Sequence, residues 1–182
     1  TMIEGNIFDV GFRGVHIKTS ADPTLSRTNT ISIQNNNITS ANEGIQIRSI
    51  EDATNLSILD NTLTRALIAN DSDLIDMQAE LTANTQARIN RNDISNVTGS
   101  DGIKVRVFDG ATLTMEALNN AMDGPAEGFD FDVIETDLTA TDDTTLNMSV
   151  LNNTLSTIDS QAMNARNANA TSSTCLDLQG EQ

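Results

Sequence analysis

Apolar and polar residues alternate in short runs along the whole chain, and turns rich in Asn, Asp, Gly and Thr separate the runs. The clearest stretch is ISIQNNNITSANEGIQI, over residues 31–47, which contains three such runs. Alternation with a period of two is typical of β-strands that bury one face. Strands this short cannot bury a core by themselves, so the pattern predicts many strands stacked against one another.

One frame recurs six times: an apolar residue, an Asn three positions later, and a second apolar residue two positions after that. Successive copies lie 25 to 33 residues apart, a spacing that indicates a solenoid, a propeller or an array. We predict that the Asn residues form a ladder at one corner. Asn tolerates the left-handed backbone region, its amide can bond to the backbone, and stacked amides can bond to one another. The predicted ladder consists of Asn6, Asn36, Asn61, Asn92, Asn120 and Asn153.

Two further strands accompany each Asn frame. A strand such as Ile31–Ile33 precedes the Asn, and a strand that opens on a small residue follows it, as in Gly44–Ile47 and Gly102–Val105. Each repeat therefore holds three short strands, which can be coiled into one rung and stacked about 4.8 Å from the next rung. The predicted fold is all-β, with about six rungs, three short parallel sheets and one continuous apolar core.

These Ile-x-x-Asn-x-Ile and Gly-Ile-x-Ile frames, which together cover residues 3–178, resemble the repeats of the right-handed parallel β-helix (pectin-lyase-like) superfamily. The resemblance implies a right-handed parallel β-helix, also called a β-solenoid. The superfamily includes pectate lyases, polygalacturonases, alginate epimerases, phage tailspikes and non-catalytic surface modules. The resemblance is therefore specific for the fold and leaves the function open.

The composition limits the choice of partners. We interpret the 182 residues as a single β-helix domain over residues 1–182. The net charge of −16 argues against nucleic acid as a partner, because phosphate binding requires a basic surface. Its apolar runs are too short for membrane insertion. The chain opens and stops within a repeat, so we expect a fragment of a longer repeat protein, or end-to-end self-association through uncapped rungs. An extracellular or cell-surface location is expected.

The strand that begins with the small residue carries an unusual share of the positive charge on its outward positions. Five of the ten Lys and Arg residues and the only His fall there. In pectin-lyase-like enzymes the corresponding strand lines the polysaccharide groove, so the resemblance implies a ligand-binding face. The residues of this predicted face are His16, Lys18, Arg48, Asp76, Lys104, Arg106, Asp130, Asp132 and Arg166.

A purely structural interpretation of the same residues also stands. Asp76, Lys104 and Asp130 alternate in sign from rung to rung, and opposite charges on neighbouring strands stabilise a sheet by roughly 0.2–1 kcal/mol each. Lys18 and Arg48 do not fit this ladder, because like charges would stack there. An anionic ligand or a carboxylate from a turn would relieve their repulsion.

No catalytic residue emerges from the sequence. The carboxylate motifs of polygalacturonases and the Asp-Pro-His signature of alginate epimerases are absent, and no His and Cys residues have a metal-binding spacing. We therefore predict no metal site and no cofactor. An acidic loop over residues 132–144 could hold Ca²⁺, although a solvated loop is the more favoured interpretation.

These observations favour a non-catalytic module, structural or carbohydrate-binding, within an extracellular or surface protein, with a polysaccharide as the expected partner. The alternative is a polysaccharide-active enzyme, a lyase or a glycoside hydrolase, that acts on an acidic glycan.

Overall fold

The structure is a computed structural model that describes residues 1–20, 28–40, 42–50, 53–65, 73–97, 99–134, 143–167 and 172–179. Within these ranges the regular elements are all β-strands, which form three parallel sheets.

We call the sheets A, B and C, and we number the strands in chain order. Sheet A contains β1 (Met2–Glu4), β4 (Thr28–Gln34), β7 (Ala53–Leu59), β10 (Asn84–Asn90), β13 (Thr112–Leu118), β16 (Thr145–Leu151) and β19 (Ser173–Gln179). Sheet B contains β2 (Ile7–Val10), β5 (Asn37–Ser40), β8 (Thr62–Arg65), β11 (Asp93–Ser95), β14 (Ala121–Asp123) and β17 (Thr154–Ser156). Sheet C contains β3 (Val15–Ser20), β6 (Ile45–Ile50), β9 (Ile75–Glu80), β12 (Ile103–Phe108), β15 (Glu127–Ile134) and β18 (Gln161–Asn167).

The chain passes through sheets A, B and C in the same order throughout, and each strand pairs in parallel with its counterpart in the next rung. The described strands make six complete passages through the three sheets, and β19 begins a seventh. The predicted all-β parallel solenoid with three sheets is therefore confirmed.

The apolar core runs through the centre of the coil and is built from equivalent positions of successive rungs. The predicted continuous core is present, and five Ile residues at equivalent inward positions have no exposed surface: Ile33, Ile45, Ile58, Ile89 and Ile103. The repeat is loosest at Ala117 and Met163, yet the register holds at both. Ala117 aligns with Ile89, and Met163 aligns with Phe129.

The predicted Asn ladder forms at the corner between sheets A and B. The side-chain Nδ2 of each Asn donates a hydrogen bond to Oδ1 of the next Asn over 2.9–3.1 Å, from Asn6 through to Asn153. The backbone N–H donates to the same oxygen. All members except Asn6, at the exposed first rung, are at most 2% exposed. The amide thus satisfies buried backbone groups that the corner would otherwise leave unpaired.

One detail of this prediction is wrong. The left-handed residue at the corner is the one before each ladder Asn, not the ladder Asn itself. Gly5, Asn35, Asp60, Arg91, Asn119 and Asn152 adopt φ values of 55° to 66°. A positive φ turns the chain sharply at that point, and the following Asn is left with its side chain directed inward, where the stacked amides meet.

Candidate functional site: the charged face of sheet C

The outer face of sheet C carries two parallel columns of polar side chains. The strand register aligns His16, Gln46, Asp76, Lys104, Asp130 and Asn164 in the first column. It aligns Lys18, Arg48, Gln78, Arg106, Asp132 and Arg166 in the second column. Because the sheet is parallel and in register, residues 26 to 34 positions apart in the chain become neighbours, as the sequence predicted.

Asp76 is the centre of the first group. Its carboxylate accepts hydrogen bonds from Arg106 Nη2 at 2.8 Å, from Gln46 Nε2 at 2.9 Å and from Gln78 Nε2 at 3.1 Å. The residue is only 2% exposed. A carboxylate removed from water in this way is stable only when it is paired and hydrogen-bonded, and these three donors meet that need.

Lys104 is the centre of the second group. Its ammonium lies 2.7 Å from Asp130 Oδ2 and 3.0 Å from Asp101 Oδ2. Asn164 Nδ2 donates to the other oxygen of Asp130 at 3.0 Å. Burial acts to lower the pKa of Lys104, but the hydrogen bond with Asp130 and the charges of Asp73 and Asp101 outweigh it and raise that pKa. Lys104 therefore holds its charge firmly.

The remaining cations of the face differ in how they are paired. Arg166 lies 2.7 Å from the Asp132 carboxylate, and Arg48 Nη2 donates to Glu80 at 2.8 Å. Glu80 lies on β9, on the side of β6 away from Lys18, and its carboxylate neutralises the Arg48 charge that would otherwise repel Lys18. Lys18 and His16 are exposed, and within the described residues neither forms an ion pair.

A third column, at the turn that enters sheet C, was missed in the sequence analysis. It holds the residue two positions before the first core-facing residue of each sheet C strand, as Asp73 stands before Ile75. This position is acidic in four consecutive repeats, and that recurrence was the signal that could have revealed it: Glu43, Asp73, Asp101 and Glu127. In the first rung the position is Arg13, which lies 2.9 Å from Glu43.

Burial, with repulsion between neighbouring carboxylates, raises the pKa of two members of this column. Burial raises the pKa of Asp73 to about 7, where the Lys104 charge opposes the shift and the Asp101 charge adds to it. Burial also raises the pKa of Glu127, where a hydrogen bond from Asn164 opposes the shift. The Asp101 charge adds to the effect of burial on the pKa at both positions, and the charges of Lys104 and Arg166 offset it only in part.

The cluster also bears on metal binding. Carboxylate oxygens of Asp101, Glu127 and Asp130 lie within 4.8 Å of one another, a spacing compatible with a metal ion. The Lys104 ammonium already contacts two of the three carboxylates, Asp101 and Asp130. The chain's own lysine therefore supplies the positive charge at the position where a metal ion would bind. The loop over residues 132–144, where Ca²⁺ was considered, lies mostly outside the described residues, including Glu135, Asp137 and Asp142.

The shifted Asp73 predicts a pH dependence of stability. Its folded-state pKa of about 7 exceeds the ordinary 3.8, so the folded chain binds more protons than the unfolded chain between these values. The free energy of unfolding should therefore fall as the pH rises, by about 2 kcal/mol from Asp73 between pH 5 and 8. Denaturant unfolding across this range measures it, and Asp73→Asn is the control. An equal pH dependence in the wild type and in Asp73→Asn would contradict the assignment to Asp73.

The fold and this face define a parallel β-solenoid with an internal Asn ladder and a charged outer sheet. Comparison with protein-family models, with curated proteins and with solved structures found no match for this chain. In the part of the chain that the structure describes, no helix has the length and apolar character needed to cross a bilayer.

Proposed function

We propose that this chain is a non-catalytic structural module of an extracellular or cell-surface protein, built as a β-helix of the pectin-lyase-like type. One observation carries the proposal: from Asp76 to Arg166, the charged residues of the sheet C face bind one another. The pairs are Arg106 with Asp76, Lys104 with Asp130, and Arg166 with Asp132.

The energetics support the structural role. A polyanionic ligand on this face would have to draw Arg106 or Lys104 away from a carboxylate that is almost fully buried. Breaking a buried pair costs about 3–5 kcal/mol, because it leaves an uncompensated buried charge. The same charges therefore serve better as links between rungs than as a surface for an acidic glycan.

A carbohydrate-binding form of the module would use the other end of the face. His16 and Lys18 are exposed on β3, and no ion pair within the described residues engages them. Both are suited to the carboxylate or the hydroxyl groups of a sugar, and binding there would disturb none of the buried pairs.

A second candidate function, a polysaccharide lyase or hydrolase, is favoured by one observation. Asp73 has a pKa of about 7, and its Oδ1 accepts a hydrogen bond from the backbone N–H of Asp101 at 3.1 Å. A carboxyl group whose pKa lies near neutral pH is the kind of group that serves as a general acid. In this chain Asp73 and Asp101 both lie near Lys104. The structural interpretation already accounts for that cluster as a link between rungs.

An activity assay separates the two functions. The purified chain should release neither unsaturated uronates nor reducing ends from pectate, alginate or neutral polysaccharides at pH 5 to 8. Product release would overturn the proposal. Asp73→Asn then tests the site, because an enzyme that uses Asp73 as its acid should lose turnover by about 100-fold or more while the variant stays folded.

A further inference from the structure

We propose that the outer face of sheet A is a binding groove for an extended, uncharged oligosaccharide. This goes beyond the structural role of sheet C, and the two can fail independently. The groove has a volume of about 480 Å³ and crosses five neighbouring strands, β4, β7, β10, β13 and β16. It thus runs from rung to rung along the coil rather than along any single strand.

The side chains that line the groove are mostly amides and hydroxyls, arranged in register. Asn55, Gln86 and Thr114 are exposed and occupy equivalent positions on β7, β10 and β13. Successive strands lie about 4.8 Å apart, which is close to the length of one pyranose unit in an extended chain. Each rung therefore offers a side chain that can donate or accept a hydrogen bond to about one sugar.

Among the described residues that line the groove, only two are charged. Both lie in its second column, and their charges have opposite signs. Arg88 and Glu116 are register neighbours on β10 and β13. Glu116 Oε1 accepts a hydrogen bond from Asn90 Nδ2 at 2.8 Å, and within the described residues Arg88 forms no ion pair. The groove is therefore neutral as a whole, on a chain with a net charge of −16.

This charge balance selects the class of ligand. A polyanion would meet only one cation in the groove and would be repelled by the acidic chain around it. A neutral, hydroxyl-rich chain can use the guanidinium of Arg88 and the amides of Asn55 and Gln86 as hydrogen-bond partners without any electrostatic penalty. The described lining contains no aromatic side chain, so hydrogen bonds rather than ring stacking would hold the sugar.

A peptide fits the groove less well. Peptides that add to a sheet require a strand edge with free backbone groups. The five strands of the groove are all interior to sheet A, and each pairs with a neighbour on both sides. The apolar residues of its lining, Leu56, Ala87 and Met115, are at most 4% exposed, so it also lacks the apolar surface that would anchor a helix.

Amide NMR titration of the full chain tests the proposal. The probes are neutral hexasaccharides (cello-, manno- and xylo-oligosaccharides) and, for comparison, oligogalacturonate. We expect at least one neutral probe to bind and to shift amide signals of β7, β10 and β13, and we expect oligogalacturonate to bind at least about tenfold more weakly.

Matched variants locate the site. Gln86→Ala and Thr114→Ala should each weaken binding of the neutral probe several-fold, and together by about tenfold. Thr62→Ala, an exposed Thr at an outward position of sheet B, should leave it unchanged. All three positions are exposed, so we expect the variants to fold normally.

Three results would overturn the inference. They are binding by none of the neutral probes, binding that the two groove variants leave unchanged, and a preference for oligogalacturonate. Oligogalacturonate binding that instead requires His16 and Lys18 would assign sugar recognition to sheet C. Enzymatic turnover that the groove variants do not reduce would refute the structural role of the chain. The titration with the neutral probes would still decide whether the groove binds sugar.

Discussion

Lys104→Met should lower the free energy of unfolding by about 4 kcal/mol at pH 8. The substitution keeps the length and the apolar stem of the side chain but removes the ammonium that lies between Asp101 and Asp130. Asp130 is only 2% exposed, so its charge would be left buried, with the weaker contact to Arg166 at 3.5 Å as its remaining ion pair. Urea unfolding at fixed pH measures the loss.

The pH dependence of this loss distinguishes a lost charge pair from lost packing. Burial raises the pKa of Asp73 to about 7, so at pH 5 this neighbour of Lys104 carries a proton and the cost of Lys104→Met should be smaller than at pH 8. Lys18→Met removes the same charge from an exposed position and should change stability by no more than about 0.5 kcal/mol. A loss for Lys104→Met equal to that for Lys18→Met would show that the cluster contributes nothing to stability.

Asn92→Ala should lower the free energy of unfolding by about 3 kcal/mol. The Asn92 amide donates to the carbonyl oxygen of Ile58 and to Asn120 Oδ1, each at 3.0 Å. Its Oδ1 accepts from both the backbone and the side-chain nitrogen of Asn61, at 3.1 and 3.0 Å. Alanine would remove the partner of the buried Asn61 backbone N–H and one hydrogen bond each from Asn61 Nδ2, the Ile58 carbonyl and Asn120 Oδ1, so both neighbouring rungs lose contacts.

The matched control for Asn92→Ala is Asn147→Ala. Asn147 lies on β16, is exposed, and points away from the ladder. Its replacement should change stability by no more than about 0.5 kcal/mol. Chemical denaturation of both variants gives the comparison, and near-equal values for the two would mean that the ladder hydrogen bonds are not a major source of stability.

The sequence predicted the ladder correctly because its signal is local. Each ladder Asn sits at a fixed offset from two apolar residues, as Asn36 does between Ile33 and Ile38, and that offset repeats in every rung. The position of the left-handed residue was predicted wrongly because Asn is suited to that conformation wherever it occurs. Arg91 and Asp60 adopt it here, and neither residue type signals a left-handed turn as strongly as Gly or Asn.

The charged face was predicted in part. Placing Lys104 beside Asp130 required only the repeat and its register, and both are visible in the sequence. Asp73, Asp101 and Glu127 were overlooked because a single acid at the start of a strand looks like an ordinary solvated residue. Their effect on one another arises only when three rungs are stacked.

What the sequence determined by itself is the repeating unit: which residues alternate, where the Asn corners fall, and which side chains face inward or outward. The physical reason is that strand alternation and corner chemistry depend on near neighbours in the chain. The tertiary structure decided which charges neutralise one another and which stay exposed. Lys104 meets Asp101 and Asp130, whereas Arg88 forms no ion pair with its register neighbour Glu116. Those outcomes depend on side-chain reach and burial across rungs, which no local pattern encodes.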